Sequence, residues 1–286
     1  MKMRVAASAG ELGAAQARYV IKRLAAAAPE LEVEARSTSD ALNEVEFIVE
    51  SLEPSALAAA STAAASTADS DLIAVMPREW PWDVFLSREY PGLVDVPANE
   101  LVVVSSARRL AQLRYHFPHL RAEQRSAVVV ADNDQFDTTG CAGRIMSAAE
   151  IHWRELAGLV RSTLSPTEMT PAPAQGTLGV RARTDDRALV NRVRESLDHA
   201  PTRAAVTAEI SFLAEFGGDA RLPIGACARA VGSQLVLLGV LASADGRQLV
   251  QLATEGDVGN PERIAADLAH KMRRAGGAEI IASFSA

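Results

Sequence analysis

Apolar and polar residues follow the two periods of strand and helix along the first fifty positions. MRVAAS indicates a short strand, and apolar residues then recur at helical spacing from about Leu12 to Ala28, where Pro29 ends the helix. LEVEARS alternates as a half-buried strand does, and FIVESL (Phe47–Leu52) indicates a buried strand. Strands and helices in this order predict an α/β domain with a largely parallel sheet.

The next stretch has little pattern. Positions 55 to 70 are almost wholly Ala, Ser and Thr, which is typical of a surface helix or a loosely specified connection. DLIAVM then predicts a strand. PREWPWD follows with two prolines and two tryptophans, a composition that argues against regular structure and indicates a hinge between domains.

A strand that runs into a helix is the clearest signal in the middle of the chain. LVVV (Leu101–Val104) predicts a buried strand, and a helix that carries Arg108, Arg109 and Arg114 follows the pair Ser105-Ser106. The further elements predicted before residue 200 are a strand at SAVVVAD, a helix over Arg144–Leu159, a strand at TLGVRAR and a helix at RALVNRVRESL.

The C-terminal third begins near Ala200 with a helix predicted over Thr202–Glu215. A loop, GGDARLPIGA, comes next. ADG then separates two apolar runs, LVLLGVLAS and RQLVQLAT, which predicts a hairpin. A last helix is predicted over Pro261–Arg274.

Composition narrows the class of protein. The 286 residues carry a net charge of −7 and only 5% aromatics, which argues against a nucleic-acid partner. Two cysteines, Cys141 and Cys227, argue against a disulfide framework or a cysteine-based zinc site. Without a leader or a membrane span in the sequence, we expect a cytoplasmic protein. Arginines dominate the informative segments and favour a small anionic ligand.

The strand-to-helix corner SSARR is the first candidate site. Ser105 and Ser106 at a helix N-terminus present hydroxyls and backbone N–H groups to an anion. Arg108 and Arg109 add forked, charge-assisted bonds to a carboxylate or phosphate. The alternative is an ordinary capping serine with two solvated arginines.

Three other places are weaker candidates. An ordinary turn or hinge explains two of them equally well, and for FGGDARLPIG an ordinary polar loop is the better explanation without other context. PAPAQGTLGVRAR contains a turn and two arginines predicted to share one strand face, FGGDARLPIG contains one acid, and two tryptophans adjoin another acid. The residues concerned are Gln175, Gly176, Arg181, Arg183, Asp219, Trp80, Trp82 and Asp83. The histidines have no metal-binding spacing, and no Ser-His-Asp arrangement or Walker-type phosphate loop is present.

The chain resembles the porphobilinogen deaminase (hydroxymethylbilane synthase) family over nearly its whole length. The matching segments are RVAASAGELGAAQA, PREWPWDVFLS, VSSARR, LSPTEMTPAPAQGTLGV, TAEISFLAEFGGDARLPIGACA and AGGAEIIA. The resemblance implies a three-domain α/β fold whose first two domains are like periplasmic binding protein lobes and whose third is a small α+β domain. We expect a shortened first domain at residues 1–76 with about 177–196, a second at 82–172 and a third at 200–286.

The resemblance also implies losses. The family cysteine that holds a dipyrromethane cofactor by a thioether falls at Asp219, and the catalytic aspartate falls at Pro54. Arginines and a serine expected elsewhere fall at Ser8, Gly10, Ser126 and Asp132, and a short segment, Asp40–Val45, replaces the active-site lid. We therefore expect no dipyrromethane cofactor, no other cofactor and no metal.

What the resemblance retains are contacts to carboxylates, at Ser105, Ser106, Arg108, Arg109, Gln175 and Arg183. Our first hypothesis is a repurposed biosynthetic enzyme that cyclises, condenses or rearranges a small anionic substrate between its domains, with Glu50, Glu53, Asp83 and Asp219 as acid/base candidates of raised pKa. A second is a non-catalytic ligand-binding or regulatory protein. A third is a diverged but true deaminase.

Overall fold

The computed structural model describes residues 2–7, 10–37, 45–53, 71–125 and 140–284. These fall into two compact units. The first is Met1–Glu79 with Gly176–Arg203, and the second is Trp80–Gln175 with Ala204–Ala286. The expected boundary near residue 200, between a second and a third domain, lies close to the second junction, and the three-domain division stays a prediction.

The strands, in chain order, are β1 Lys2–Ala7, β2 Glu32–Ser37, β3 Phe47–Ser51, β4 Asp71–Val75, β5 Asp83–Leu86, β6 Leu101–Val104, β7 Arg121–Gln124, β8 Gly143–Ser147, β9 Val160–Thr163, β10 Leu178–Ala182, β11 Ile224–Val231, β12 Gln234–Ala242 and β13 Leu249–Asp257. The α-helices are α1 Glu11–Ala27, α2 Ala107–His116, α3 Ala148–Trp153, α4 Arg187–Leu197, α5 Ala200–Ala214, α6 Pro261–Met272 and α7 Ala278–Ala282. None of these helices has both the length and the apolar character of a bilayer span.

The first unit is built on a five-stranded sheet in the order β2-β1-β3-β10-β4. Strands β1, β2 and β3 are parallel, as the alternation of strand and helix predicts, whereas β10 runs antiparallel between β3 and β4. Helix α1 buries Val20 and Leu24 completely, because these residues lie on its apolar stripe.

The second unit contains two sheets. A mixed sheet has the order β7-β6-β8-β5-β9, with β6 parallel to both its neighbours. Phe85, Leu113 and Ile145 lie in its core. The other sheet is antiparallel, in the order β11-β12-β13, and contains the predicted hairpin. It packs against α5 and α6 through Phe212, Leu268 and neighbouring apolar residues.

The predicted helix over Arg144–Leu159 is wrong in its first part. Residues Gly143–Ser147 form β8 and are buried throughout, and only Ala148–Trp153 is α-helical. A short apolar run fits both periods, so the pattern alone does not separate strand from helix. Tertiary packing favours the strand, because Gly143 lies directly against the neighbouring strand β5: a Cβ on Gly143 would lie 2.5 Å from the carbonyl oxygen of Leu86.

Two further boundaries differ from the prediction. The loop GGDARLPIGA ends at Ile224, where β11 begins and pairs with β12 over its whole length. The last helix stops at Met272, and Gly276 adopts a positive φ of 100° in the wider turn that follows. The predicted strand SAVVVAD and the Ala-rich positions 55–70 lie outside the described residues.

Replacing Phe212 by alanine tests the core of the antiparallel sheet. Phe212 is fully buried, packs edge-to-face against Phe216, and closely approaches Gly239. We expect Phe212→Ala to lower the free energy of unfolding by about 3–5 kcal/mol. All three tryptophans lie in the second unit, so urea unfolding followed by tryptophan fluorescence measures this unit.

Val231→Ala is the matched control, because Val231 belongs to the same sheet but its side chain is 56% exposed. The control is expected to stay within about 0.5 kcal/mol of the unsubstituted protein. Equal urea midpoints for the two variants would contradict the assignment of Phe212 to the core.

Candidate functional site

The corner between β6 and α2 has the geometry of a capped helix N-terminus. Ser106 adopts an extended conformation, and its Oγ accepts a hydrogen bond from the backbone N–H of Arg109 at 3.3 Å. This is the bond expected of an N-cap serine. The Oγ of Ser105 accepts from Nη1 of Arg109 at 2.7 Å. Both hydroxyls therefore contact Arg109.

Arg108 and Arg109 are buried, unlike the solvated arginines of the alternative interpretation. Both guanidinium groups contact Asp83, the first residue of β5, whose side chain is completely buried. Nε and Nη2 of Arg109 donate to Oδ1 of Asp83 at 3.0 and 2.7 Å. Nη1 of Arg108 lies 2.8 Å from Oδ2, an ion-pair contact without good hydrogen-bond geometry.

Gln175 completes this arrangement. Its Nε2 donates to the carbonyl oxygen of Pro81 at 2.8 Å and to Oδ1 of Asp83 at 3.0 Å. Its Oε1 accepts from Nη2 of Arg108 at 3.1 Å. We call Asp83, Ser105, Arg108, Arg109 and Gln175 the Asp83 cluster. The structure brings together residues from three candidate places that the sequence analysis had considered separately.

The electrostatics of Asp83 differ from expectation. Burial raises the pKa of this carboxyl, but the charges of Arg108 and Arg109, together with the hydrogen bonds from Arg109, outweigh burial, so that the pKa lies below its ordinary value. Asp83 is therefore ionised at neutral pH. The raised pKa expected for a buried acid is not found here, because that expectation did not include the two arginines.

Residues that sequence reasoning missed hold the segment before Gln175. Oε1 of Gln112 accepts from the backbone N–H of Thr170 at 2.7 Å, and Nε2 of Gln112 donates to its carbonyl oxygen at 3.1 Å. Gln112 follows Arg108 by one helical turn on the buried face of α2, which is the only signal the sequence offered. Glu209, a buried acid of α5, accepts from the backbone of Ala174 and was not anticipated.

The two tryptophans of the predicted hinge belong to the second unit. The Trp80 ring stacks on His152, with centroids 3.6 Å apart, and burial lowers the pKa of His152. The carbonyl oxygen of Trp82 accepts from the backbone N–H of Ala148. Trp82 immediately precedes Asp83 in the chain, and the assignment of both tryptophans to ligand binding stays a prediction.

The other predicted residues of the first unit lie in β3 and β10 or in the segments next to these strands. Glu50 is buried and pairs with Nε of Arg181 at 2.5 Å, and the backbone N–H of Glu53 donates to Ser51. Gly176 has a positive φ of 74° in the turn before β10. Arg183, one residue beyond β10, lines a polar pocket of about 710 Å³. The register shift in the pairing of β10 with β4 lies between Val180 and Arg181, and the expected placement of Arg181 and Arg183 on one strand face stays a prediction.

Asp219 lies in a loop whose two glycines, Gly217 and Gly218, adopt positive φ angles. Both its carboxylate oxygens accept from Arg221, whose side chain is 90% exposed. This hydrogen bonding lowers the pKa of Asp219. The side chain is thus an ionised, ion-paired carboxylate, and a raised pKa is absent here too.

Several positions named in the sequence comparison with the family lie outside the described residues: Ser8, Asp40 with the segment to Glu44, Pro54, Ser126 and Asp132. Gly10 is described, and it precedes α1 with a φ of 96°. Among the residues that the structure describes, no group of three acidic, histidine or cysteine side chains could hold a metal ion.

Comparison with known proteins yields two family models and many relatives. Residues 43–191 match the model "Porphobilinogen deaminase, dipyromethane cofactor binding domain", and residues 203–274 match "Porphobilinogen deaminase, C-terminal domain". A porphobilinogen deaminase of Desulforudis audaxviator is 37% identical over 73% of this chain and 67% of its own. That of Methylobacillus flagellatus is 32% identical over 74% and 68%.

Among solved structures, a nutrient-binding protein of Burkholderia cenocepacia bound to methionine matches 68% of this chain and 90% of its own. It is 11% identical, with a TM-score of 0.44. The family models cover most of the chain, and together with the α/β sheets and the small antiparallel C-terminal sheet they confirm the predicted fold class.

The expectation that the chain has no cofactor is contradicted. The model that matches residues 43–191 is that of the dipyrromethane cofactor binding domain, and the relatives are named porphobilinogen deaminases. The residue assigned to the thioether, however, is Asp219, which has no sulfur and is bound to Arg221. Cys227 lies within β11, opposite Leu238, and not in that loop. Residue 219 does not fit the group, and we derive no chemical step through it.

Asp83→Asn tests whether the Asp83 cluster depends on one charge. The substitution leaves two buried guanidinium groups without their carboxylate, and we expect the second unit to lose about 3–5 kcal/mol of stability. Urea unfolding followed by tryptophan fluorescence measures the loss. Asp219→Asn removes an acid whose arginine partner is solvated and should have a far smaller effect. Similar losses in the two variants would show that Asp83 is not specially placed.

The pH dependence of the same comparison tests the lowered pKa of Asp83. A carboxyl whose pKa is lower in the folded than in the unfolded protein stabilises the fold above its unfolded pKa, and this stability is lost as pH falls through the folded pKa. The stability difference between the unsubstituted protein and Asp83→Asn should be constant from pH 7 to 5 and shrink below about pH 4. A difference that grows as pH falls from neutral towards pH 5 would indicate a raised pKa instead.

Proposed function

The chain belongs to the porphobilinogen deaminase family, and on that premise we propose that it binds a small carboxylate-bearing ligand at the Asp83 cluster and does not make hydroxymethylbilane. The proposal that the chain does not make hydroxymethylbilane rests on the chemistry of Asp219. In the family the product is built on a thioether-linked group, and residue 219 offers an ionised carboxylate paired with Arg221 in place of a thiol.

The Asp83 cluster supports the proposal that the chain binds a carboxylate-bearing ligand. Two guanidinium groups lie here beside one carboxylate, all of them almost entirely buried, where charges are weakly screened. The N-terminus of α2 adds the positive end of the helix dipole at the same corner. The hydrogen bonds to Asp83, Ser105 and Gln175 fix both arginines before any ligand arrives, which lowers the entropic cost of binding.

We assign the reaction, where there is one, to cyclisation, condensation or rearrangement of an anionic substrate. The ion pairs restrict the acid/base candidates, because Asp83, Asp219 and Glu50 are each held by arginine. Those ion pairs favour a second candidate function, non-catalytic binding of the same ligand.

The deaminase activity is tested by incubating the purified protein with porphobilinogen and measuring hydroxymethylbilane, or the uroporphyrin I that forms from it. We expect no product above that of a heat-denatured sample, since residue 219 cannot form the thioether. An active porphobilinogen deaminase run in the same assay is the control. Steady turnover by this chain would establish the third hypothesis, a true deaminase, and overturn the proposal.

Carboxylate binding is tested by thermal unfolding with malonate as the probe. A ligand at 100 times its Kd stabilises the folded state by about 2.7 kcal/mol, which raises the Tm by several degrees. Arg109→Lys should weaken malonate binding roughly tenfold, because an ammonium group cannot make the forked contact. Arg114→Lys is the control: this arginine of α2 donates instead to the carbonyl oxygen of Ala244. Equal malonate responses in both variants would contradict the assignment.

A further inference from the structure

Glu209 is a buried acid that the proposed site does not use directly. It lies in α5, has no exposed surface, and its two carboxylate oxygens accept from two backbone N–H groups. Oε2 accepts from Ala174 and Oε1 from Ala228, both at 2.6 Å. A buried carboxylate has a large desolvation cost, so these two bonds need to be strong and specific.

One of the two partners is a strained residue. Ala174 has a φ of 59°, in the left-handed region that residues other than glycine rarely adopt, and it is completely buried. A conformation of this kind persists only where its surroundings hold it. The bond from the Ala174 N–H to Glu209 is such a restraint, and Ala174 immediately precedes Gln175.

The other partner connects the turn to the antiparallel sheet. Ala228 lies in β11, and two residues earlier the backbone N–H of Ala226 donates to the carbonyl oxygen of Pro171 at 2.9 Å. Gly225 approaches the same segment so closely that a Cβ there would lie 2.8 Å from the carbonyl oxygen of Thr170. Helix α5 and strand β11 thus together support the segment from Thr170 to Gln175.

We propose that Glu209 is a positioning residue that holds the Ala174 turn, and through it the Gln175 amide, in the Asp83 cluster. Gln175 donates to Asp83 and accepts from Arg108, so a displaced turn removes a restraint on both charges. Glu209 belongs to the C-terminal part of the second unit. It thereby sets the affinity of the Asp83 cluster for carboxylates, an inference that rests on the proposed function.

Glu209→Gln is the first variant to test this. An amide has one acceptor oxygen, so one of the two backbone N–H groups loses its partner. Ala228 is held by the pairing of β11 with β12, whereas Ala174 is strained, so the turn yields first. We expect malonate to bind about tenfold more weakly than to the unsubstituted protein, with the second unit still folded by circular dichroism and tryptophan fluorescence.

Two double variants separate positioning from a general loss of stability. Adding Ala174→Gly to Glu209→Gln removes the strain and should restore most of the malonate affinity. In a Gln175→Ala background, Glu209→Gln should cause no further loss of affinity, because the amide it positions is absent. Glu215→Gln is the matched control: Glu215 follows α5 directly, pairs with Arg273 at the surface, and should leave malonate binding unchanged.

Malonate affinity in Glu209→Gln equal to that of the unsubstituted protein would overturn the inference, and so would an undiminished loss in the Gln175→Ala background. Should Glu209→Gln not fold, Glu209→Asp replaces it in the same series, since it keeps the charge but shortens the reach. If the unsubstituted protein binds no malonate, the proposed function fails. The inference is then judged on urea midpoints alone: non-additive shifts for Glu209 and Gln175 variants support the coupling, and additive shifts overturn it.

Discussion

One buried carboxylate organises the second unit of this protein. Asp83 begins β5 and is contacted by arginines of α2 and by the amide of Gln175, so a single ionised group joins a strand, a helix and a turn that are far apart in sequence. Either charge alone would be very costly to bury, and together they lower that cost only while the geometry is kept. The start of β5, the N-terminus of α2 and the turn before Gln175 are therefore fixed relative to one another.

Much of the fold could be predicted from the sequence. The α/β pattern of the first unit, the strand that runs into α2, and the ADG hairpin all follow from local periodicity and turn chemistry. The errors lie where tertiary contacts decide. Gly143 and the residues after it form a strand because they fit against Phe85 and Leu86, which no local pattern encodes.

In the candidate site, too, local sequence predicts some features and tertiary contacts decide the others. Sequence reasoning selected Ser105, Arg108, Arg109 and Gln175 as ligand contacts, but it treated the partner of both arginines, Asp83, as a separate acid/base candidate. The lowered pKa of Asp83 depends on residues 25 and 26 positions away and could not be read from its neighbours. Glu209 carried no signal at all, because its partners are backbone groups.

The family assignment favours a bound dipyrromethane cofactor, whereas the chemistry of the Asp219 loop does not fit one. The family models and the relatives identify a porphobilinogen deaminase scaffold with its dipyrromethane cofactor binding domain, whereas residue 219 is a carboxylate bound to Arg221. The Asp83 cluster is compatible with both, because it provides positive charge at a rigid corner and no covalent chemistry. On this account we propose that the corner binds a carboxylate-bearing ligand.

The most direct measurement of that account is nitrogen-resolved NMR of the arginine side chains with and without malonate. Buried, ion-paired guanidinium groups should give two side-chain N–H signals, assigned by Arg108→Lys and Arg109→Lys, that exchange slowly with water at neutral pH and shift when malonate is added. Signals that exchange as fast as those of solvated arginines and do not respond to malonate would contradict both the buried cluster and its role in binding.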